Sequence, residues 1–226
     1  MLKGLPCSPI RSCLKITGPL LVSITMSAVM INVGVSRIKN TKDTMAFSLN
    51  AQTQWSADKS HSKIGFTVTH MLIAEVEGNF KDFTASMTST KDNFEDSKVE
   101  FKAPVSSINT NDDKRDEHLR GSDFFDMANH PEISFTSVTF KPAGDKKFKV
   151  VGNLTMRGVT RSVTLEATHI GTVEDPWGNT KAGFKLTGKV NRKDYGIAWN
   201  KTLTSGGAVV SDEVAMNCMI ELIKQK

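Results

Sequence analysis

Between Lys63 and His70 the chain reads Lys-Ile-Gly-Phe-Thr-Val-Thr-His. Ile64, Phe66, Val68 and His70 share one face; Lys63, Gly65, Thr67 and Thr69 share the other. A period of two sustained over residues of β-branched and aromatic type predicts a half-buried antiparallel strand. Its apolar row ends in a titratable ring. The alternation returns at 75–80 (Val76, Gly78, Phe80), 97–105 (Val99, Phe101, Ala103, Val105) and 132–137 (Ile133, Phe135). It returns again at 148–156 (Phe148, Val150, Gly152, Leu154, Met156), 162–169 (Val163, Leu165, Ala167, His169) and 183–190 (Phe184, Leu186, Gly188, Val190). The last row is Val214, Met216, Cys218, Ile220 and Leu222. About eight such runs predict an all-β chain, an eight-stranded antiparallel barrel. That is the strand number at which a closed wall can hold one small ligand.

Turn signals separate the runs at 142–145, 175–179 and 205–207. Gly78, Gly152 and Gly188 fall on inward rows, where glycine permits sharp bends or leaves room inside a barrel. One segment breaks the pattern. Thr110-Asn111-Asp112-Asp113 resembles a capping box and predicts a short helix through Arg120, stopped by Gly121. Phe124, Phe125 and Met127 follow at once. Such a piece either plugs a barrel end or is a plain connector that packs its aromatics on the core.

The chain has 226 residues and a formal charge of +5. Six basic residues and one acid precede Gln52, which leaves 23 of each sign in 52–226. The excess charge belongs to the first segment, so composition gives no support to a nucleic-acid partner. Residues 16–36 carry no charge and follow Lys3, Arg11 and Lys15. This pattern fits an export signal, with an uncleaved membrane anchor as the alternative. We therefore divide the chain into a leader, 1–51, and a barrel, 52–226. The mature protein is expected to begin between Leu49 and Trp55, in the periplasm or outside the cell. Cys7 and Cys13 lie in the leader. Cys218 alone remains in the body, which excludes an internal disulfide there and any site of two thiolates. It reads as a buried small hydrophobe.

Reaction chemistry finds little foothold. No nucleophile elbow, P-loop or dinucleotide fingerprint occurs. His61, His70, Asp116 and His118 could be assembled into a metal or acid–base site on paper, but their spacing matches no ligand pattern. The clusters Arg115-Asp116 and Arg192-Lys193-Asp194 read either as surface ion pairs or as a polar rim that meets a ligand head group. No metal or cofactor is expected.

A series of short matches then accumulates in order along the chain. It comprises Trp55 with Asp58 and His61-Ser62; Phe66, Val68 and His70; Val76-Glu77-Gly78-Asn79-Phe80; and Ser107-Ile108-Asn109-Thr110. It continues through Arg115-Asp116-Glu117-His118-Leu119, Asp123-Phe124-Phe125-Asp126 and Pro131-Glu132-Ile133-Ser134-Phe135. Gly152-Asn153-Leu154-Thr155, Gly158-Val159-Thr160 and Asn191-Arg192-Lys193-Asp194-Tyr195-Gly196 complete it. By these residues the chain resembles the YceI-like lipid- and polyisoprenoid-binding proteins over almost all of 54–224. The leader departs from the family pattern, being longer than a usual export signal.

The resemblance implies a lipocalin-like barrel that encloses a polyisoprenoid or other long-chain lipid, and it supplies no catalytic residues. The expected lining is Phe66, Val68, Phe101, Phe135, Leu154, Met156, Phe184 and Met216, with His70, Arg115 and His118 at the polar end. Most of the apolar positions would serve equally as plain core. Two rivals stand beside the carrier. One is an enzyme acting on bound lipid through His61 or His70; the other is a filled structural barrel. A homodimer and membrane contact through the leader are left open.

Overall fold

Bent strands explain how eleven pieces make an eight-stranded wall. In a computed structural model, which describes residues 52–204 and 206–226, β1 (Thr53–Ala57) runs through a short 3-10 turn into β2 (Lys63–His70). Next come β3 (Ala74–Phe80), β4 (Thr84–Ser89), β5 (Lys98–Pro104) and the two-residue β6 (Ile108–Asn109). β1 pairs with β4 and β2 with β3; β4 pairs with β5 and β3 with β6. Each pair of consecutive pieces is thus one long strand with a kink.

β7 (Glu132–Gly144), β8 (Lys147–Met156), β9 (Val159–Glu174), β10 (Thr180–Asn191) and β11 (Val210–Lys224) continue the meander. β11 closes the ring by pairing with β2 in its first part and with β1 at its end. The fold is a closed eight-stranded antiparallel barrel with one short helix, α1 (Asp113–Arg120), between β6 and β7. His70, Met156, Asn191 and Val210 mark its upper end. The 145–146 and 175–179 turns and Lys224 mark the lower end.

The predicted runs lie inside the observed strands, and two strands extend beyond them for a visible reason. A register shift between Ser137 and Thr139 moves the buried row of β7 from Ile133 and Phe135 to Phe140 and leaves Val138 outside. The alternation therefore stops at Ser137 while the strand does not. A shift at Gly183/Phe184 does the same to β9 and leaves Ile170 exposed. α1 begins at Asp112, whose side chain accepts the Arg115 N–H, and ends at Gly121.

The leader, with the choice between signal and anchor, lies outside the described residues. Among those described, no helix is long and apolar enough to cross a membrane.

Candidate functional site

Along β11 the inward row is a depth gauge. Val210, Val214, Met216 and Cys218 line a cavity of about 310 Å³ in the upper half of the barrel. Met216, Cys218 and Ile220 line a second cavity of about 100 Å³ below it. The two share Ile64, Phe101, Leu154, Met216 and Cys218, so a single layer of side chains separates them. Of the expected lining, Phe66, Val68, Phe101, Leu154, Met156 and Met216 surround the upper cavity, as do His70, Arg115 and His118. Phe135 lines only the lower one.

Phe184 lines neither and is corrected to core. Its ring lies 5.2 Å from Phe94 and 5.0 Å from His169, in an aromatic floor beneath both cavities. Cys218 behaves as the small hydrophobe expected of it, and burial pushes its thiol up to about 11. The thiol therefore stays protonated and unreactive at neutral pH.

The glycines on the inward rows do not leave empty space. A Cβ at Gly78 would fall 2.2 Å from the Phe66 ring, one at Gly152 2.4 Å from Phe135, and one at Gly188 2.5 Å from Leu165. Each is a seat for a large side chain from the neighbouring strand, so the cavities arise elsewhere.

They arise because irregular segments, rather than strands, cover the upper end. Thr110 accepts at Oγ1 from Arg115 Nε (2.7 Å) and donates from Oγ1 to buried Asp116 (2.6 Å). Arg115 Nη2 also donates to the Thr110 carbonyl at 2.6 Å. This fixes α1 over the wall. His118 stands edge-on to Phe124 and Trp199, each 5.0 Å away between ring centres, and its Nε2 meets Asp123 at 3.1 Å. Its side chain is partly exposed and also lines the cavity.

Arg192 holds the other side. It is buried and donates to the carbonyls of Ser211, Ile197 and Trp199 at 2.8–2.9 Å. Arg192 also meets Asp212 at 3.3 Å, an ion pair made from a buried position rather than from the surface, and it lines the upper cavity. It is a strap anchor that turns Ile197 and Trp199 onto the cavity. Trp199, Phe124 and Ile197 were missed as lining because they sit in connections without periodicity.

The lower end is closed. Phe94 enters from the β4–β5 loop with φ 62° and packs 5.5 Å from Trp55, 5.1 Å from His169 and 5.2 Å from Phe184. Asp96 ties that loop by accepting from Ser89 Oγ (2.7 Å), from Thr90 N–H (2.8 Å) and from the Thr90 hydroxyl. Burial alone would raise the Asp96 carboxyl, but these bonds outweigh it and hold it well below the usual range. Burial among the rings lowers the His169 imidazole from its ordinary value.

The paper constellation of His61, His70, Asp116 and His118 does not form. His70 and His118 face the upper cavity and Asp116 is buried behind Thr110. His61 lies at the kink between β1 and β2, 3.0 Å from Asp58 and 3.7 Å from Glu221. Ligand atoms of Asp58, His61 and Glu221 fall within 4.8 Å of one another. The Lys181 ammonium already joins the two carboxylates, 2.7 Å from Glu221 and 3.3 Å from Asp58. Hydrogen bonds from Ser60 and His61 lower the Asp58 carboxyl far below its ordinary value. The group is an ion network that braces the kink against β10 and β11.

A family model described as the YceI-like domain matches residues 55–222, nearly the whole described barrel. The chain belongs to the YceI-like family. It is 34% identical over 183 residues to Protein YceI of Salmonella newport, covering 81% of this chain and 92% of that protein. The crystal structure of Campylobacter jejuni YCEI superposes with a TM-score of 0.60 at 32% identity, over 75% of this chain and 96% of that one. A domain from Saccharophagus degradans, described as polyisoprenoid-binding and implicated in plant cell wall breakdown, shares the fold at 14% identity. Its TM-score is 0.52, over 76% of this chain and 98% of that domain. In this YceI-like barrel the matched residues place Arg115, His118 and Phe124 at the covered upper end.

Proposed function

We propose that the protein holds one long-chain amphiphile, a polyisoprenoid or a similar lipid, with its chain in the barrel and its polar end near His70, Arg115 and His118. The observation that carries this reading is the pair of apolar cavities, about 310 and 100 Å³, one above the other inside the barrel. A site of that size, apolar apart from a few polar groups at one end, suits a lipid better than a polar metabolite. The shared fold with a domain described as polyisoprenoid-binding agrees with it.

The carrier is preferred to an enzyme because Arg115 and His118 at the cavity are committed to structural partners, which leaves His70 alone of the three groups at the polar end to face it without one among the described residues. Arg115 serves Thr110 and His118 pairs with Asp123, while His61 stands outside the cavities. We further propose that residues 1–51 direct export to the periplasm or beyond and are then removed.

One preparation tests both proposals: protein purified from the envelope of its own host. Native mass spectrometry is expected to find a co-purifying lipid of discrete mass, and N-terminal sequencing a start between Leu49 and Trp55. An empty barrel would sink the carrier, and an intact Met1 would sink cleavage.

A further inference from the structure

The hairpin tip between β2 and β3 carries residues that such a turn normally avoids. The Ile73 N–H donates to the His70 carbonyl at 3.2 Å, and Met71 and Leu72 have φ of 51° and 65°. This is the geometry of a type I′ turn, whose central positions favour Asn, Asp and Gly. A Cβ at either place is strained. Yet Met71 is 39%, Leu72 70% and Ile73 87% exposed. The tip is both strained and apolar in water, and local stability explains neither property.

Its surroundings give it a use. Met71 N–H donates to the Val209 carbonyl at 2.9 Å, and Leu72 Cδ1 lies against Gly207. His70, Val209 and Val210, all adjoining the tip, line the upper cavity. Among the described residues, β3 above Asn79 pairs only with β2, and Val76 on that stretch also lines the cavity. An apolar tip, a free strand edge and the upper cavity therefore meet at one corner.

We propose that residues 71–73 insert into a lipid bilayer and set this corner of the barrel on the membrane, so that a long-chain lipid passes between bilayer and cavity without crossing water. The proposal rests on the carrier reading. A bilayer fits better than a protein partner. Three residues on a convex tip cannot supply the ~800 Å² per side that a stable protein contact buries. Shallow insertion needs only that apolar side chains reach below the head groups. Exposed Lys201 beside the tip and Glu75 behind it leave the rim near neutral, so insertion is expected to depend little on anionic lipid.

The test uses the full chain and phosphatidylcholine vesicles containing a long-chain polyprenol. The triple variant Met71→Asn, Leu72→Gly, Ile73→Ser installs the preferred turn, so it should melt no lower than wild type. It should take up polyprenol from vesicles roughly tenfold more slowly or worse, as the loss of two or three inserted apolar side chains requires. Trp177, 80% exposed at the closed lower end, provides the control, and Trp177→Ser should leave uptake unchanged.

Leu72→Trp reads insertion independently of the leader, because its added emission should be quenched by brominated phospholipid. Wild-type uptake by the triple variant, or an unquenched Trp at 72, overturns the proposal. So does vesicle-free dimerisation that the triple variant abolishes, which would assign the tip to a second copy. If neither wild type nor variant ever holds polyprenol while Trp at 72 is quenched, the carrier reading has failed and the docking surface has not.

Discussion

The two ends of the barrel are built from similar residues to opposite effect. At the lower end Phe94, Trp55, Phe184 and His169 interlock ring on ring, and Asp96 bonds the loop that delivers Phe94. At the upper end His118, Phe124 and Trp199 also touch ring on ring, but they roof a cavity instead of filling one. The difference lies beneath the rings. Below, an aromatic inserted from a loop meets aromatics on β1, β9 and β10, ring against ring. Above, the cover hangs from two arginines, Arg115 and Arg192, bonded to backbone carbonyls that lie over empty volume. Aromatic content alone does not separate core from pocket; what stands opposite each ring does.

Three measurements can break or sharpen this contrast. The largest effect is expected from Phe94→Ala, which removes the plug from the closed end. A cavity left among packed rings should cost about 3–5 kcal/mol in denaturant unfolding, and a loss below about 1 kcal/mol would mean that the floor is not close-packed.

Asp96→Asn comes next, at about 2 kcal/mol near neutral pH, because several hydrogen bonds to a charged acceptor weaken together. Its sign with pH follows from the lowered carboxyl. The stability it contributes is complete above the ordinary aspartate value of 3.8 and drains away as pH falls from there toward the folded value. Wild type and variant should therefore converge in acid, and a gap that stays constant down to pH 2 would contradict this account.

Val68→Trp should have the smallest effect on stability. Because Val68 faces the upper cavity, the larger ring should displace lipid while costing less than ~1 kcal/mol; in a packed core overfilling would cost roughly 1–3 kcal/mol. Lipid occupancy and the unfolding midpoint, measured on the same sample, decide between the two.

Alternation along the chain revealed the eight-stranded wall because each strand keeps an unbroken inward row somewhere along its length. It hid β1 and β4. Thr84–Ser89 reads Thr-Ala-Ser-Met-Thr-Ser, with Met87 as its single large apolar residue. Trp55 stands alone before a kink. Neither segment shows a period until it is seen as the lower half of a longer strand.

The candidate site was legible to the same extent and for the same reason. Phe101 and Phe184 occupy equivalent places in equivalent patterns, yet one lines the cavities and the other meets Phe94 from a loop that no pattern marks. Arg192 and Trp199 were illegible because their roles are set by backbone carbonyls in an irregular connection. Glycine misled in the opposite direction: Gly78 and Gly152 read as room for a ligand and prove to be seats for Phe66 and Phe135.

The double duty of β11 has a kinetic side. Trp55 pairs with Lys224, and Phe66 with Met216, so the earliest strand of the barrel finds its second partner only in the last strand. Contacts this distant in sequence are slow to form, since most of the chain must be ordered before they are rewarded. During synthesis the barrel cannot close until its last residues have left the ribosome. Until then its inward rows, the future home of a lipid, are open to any chaperone or membrane that meets them first.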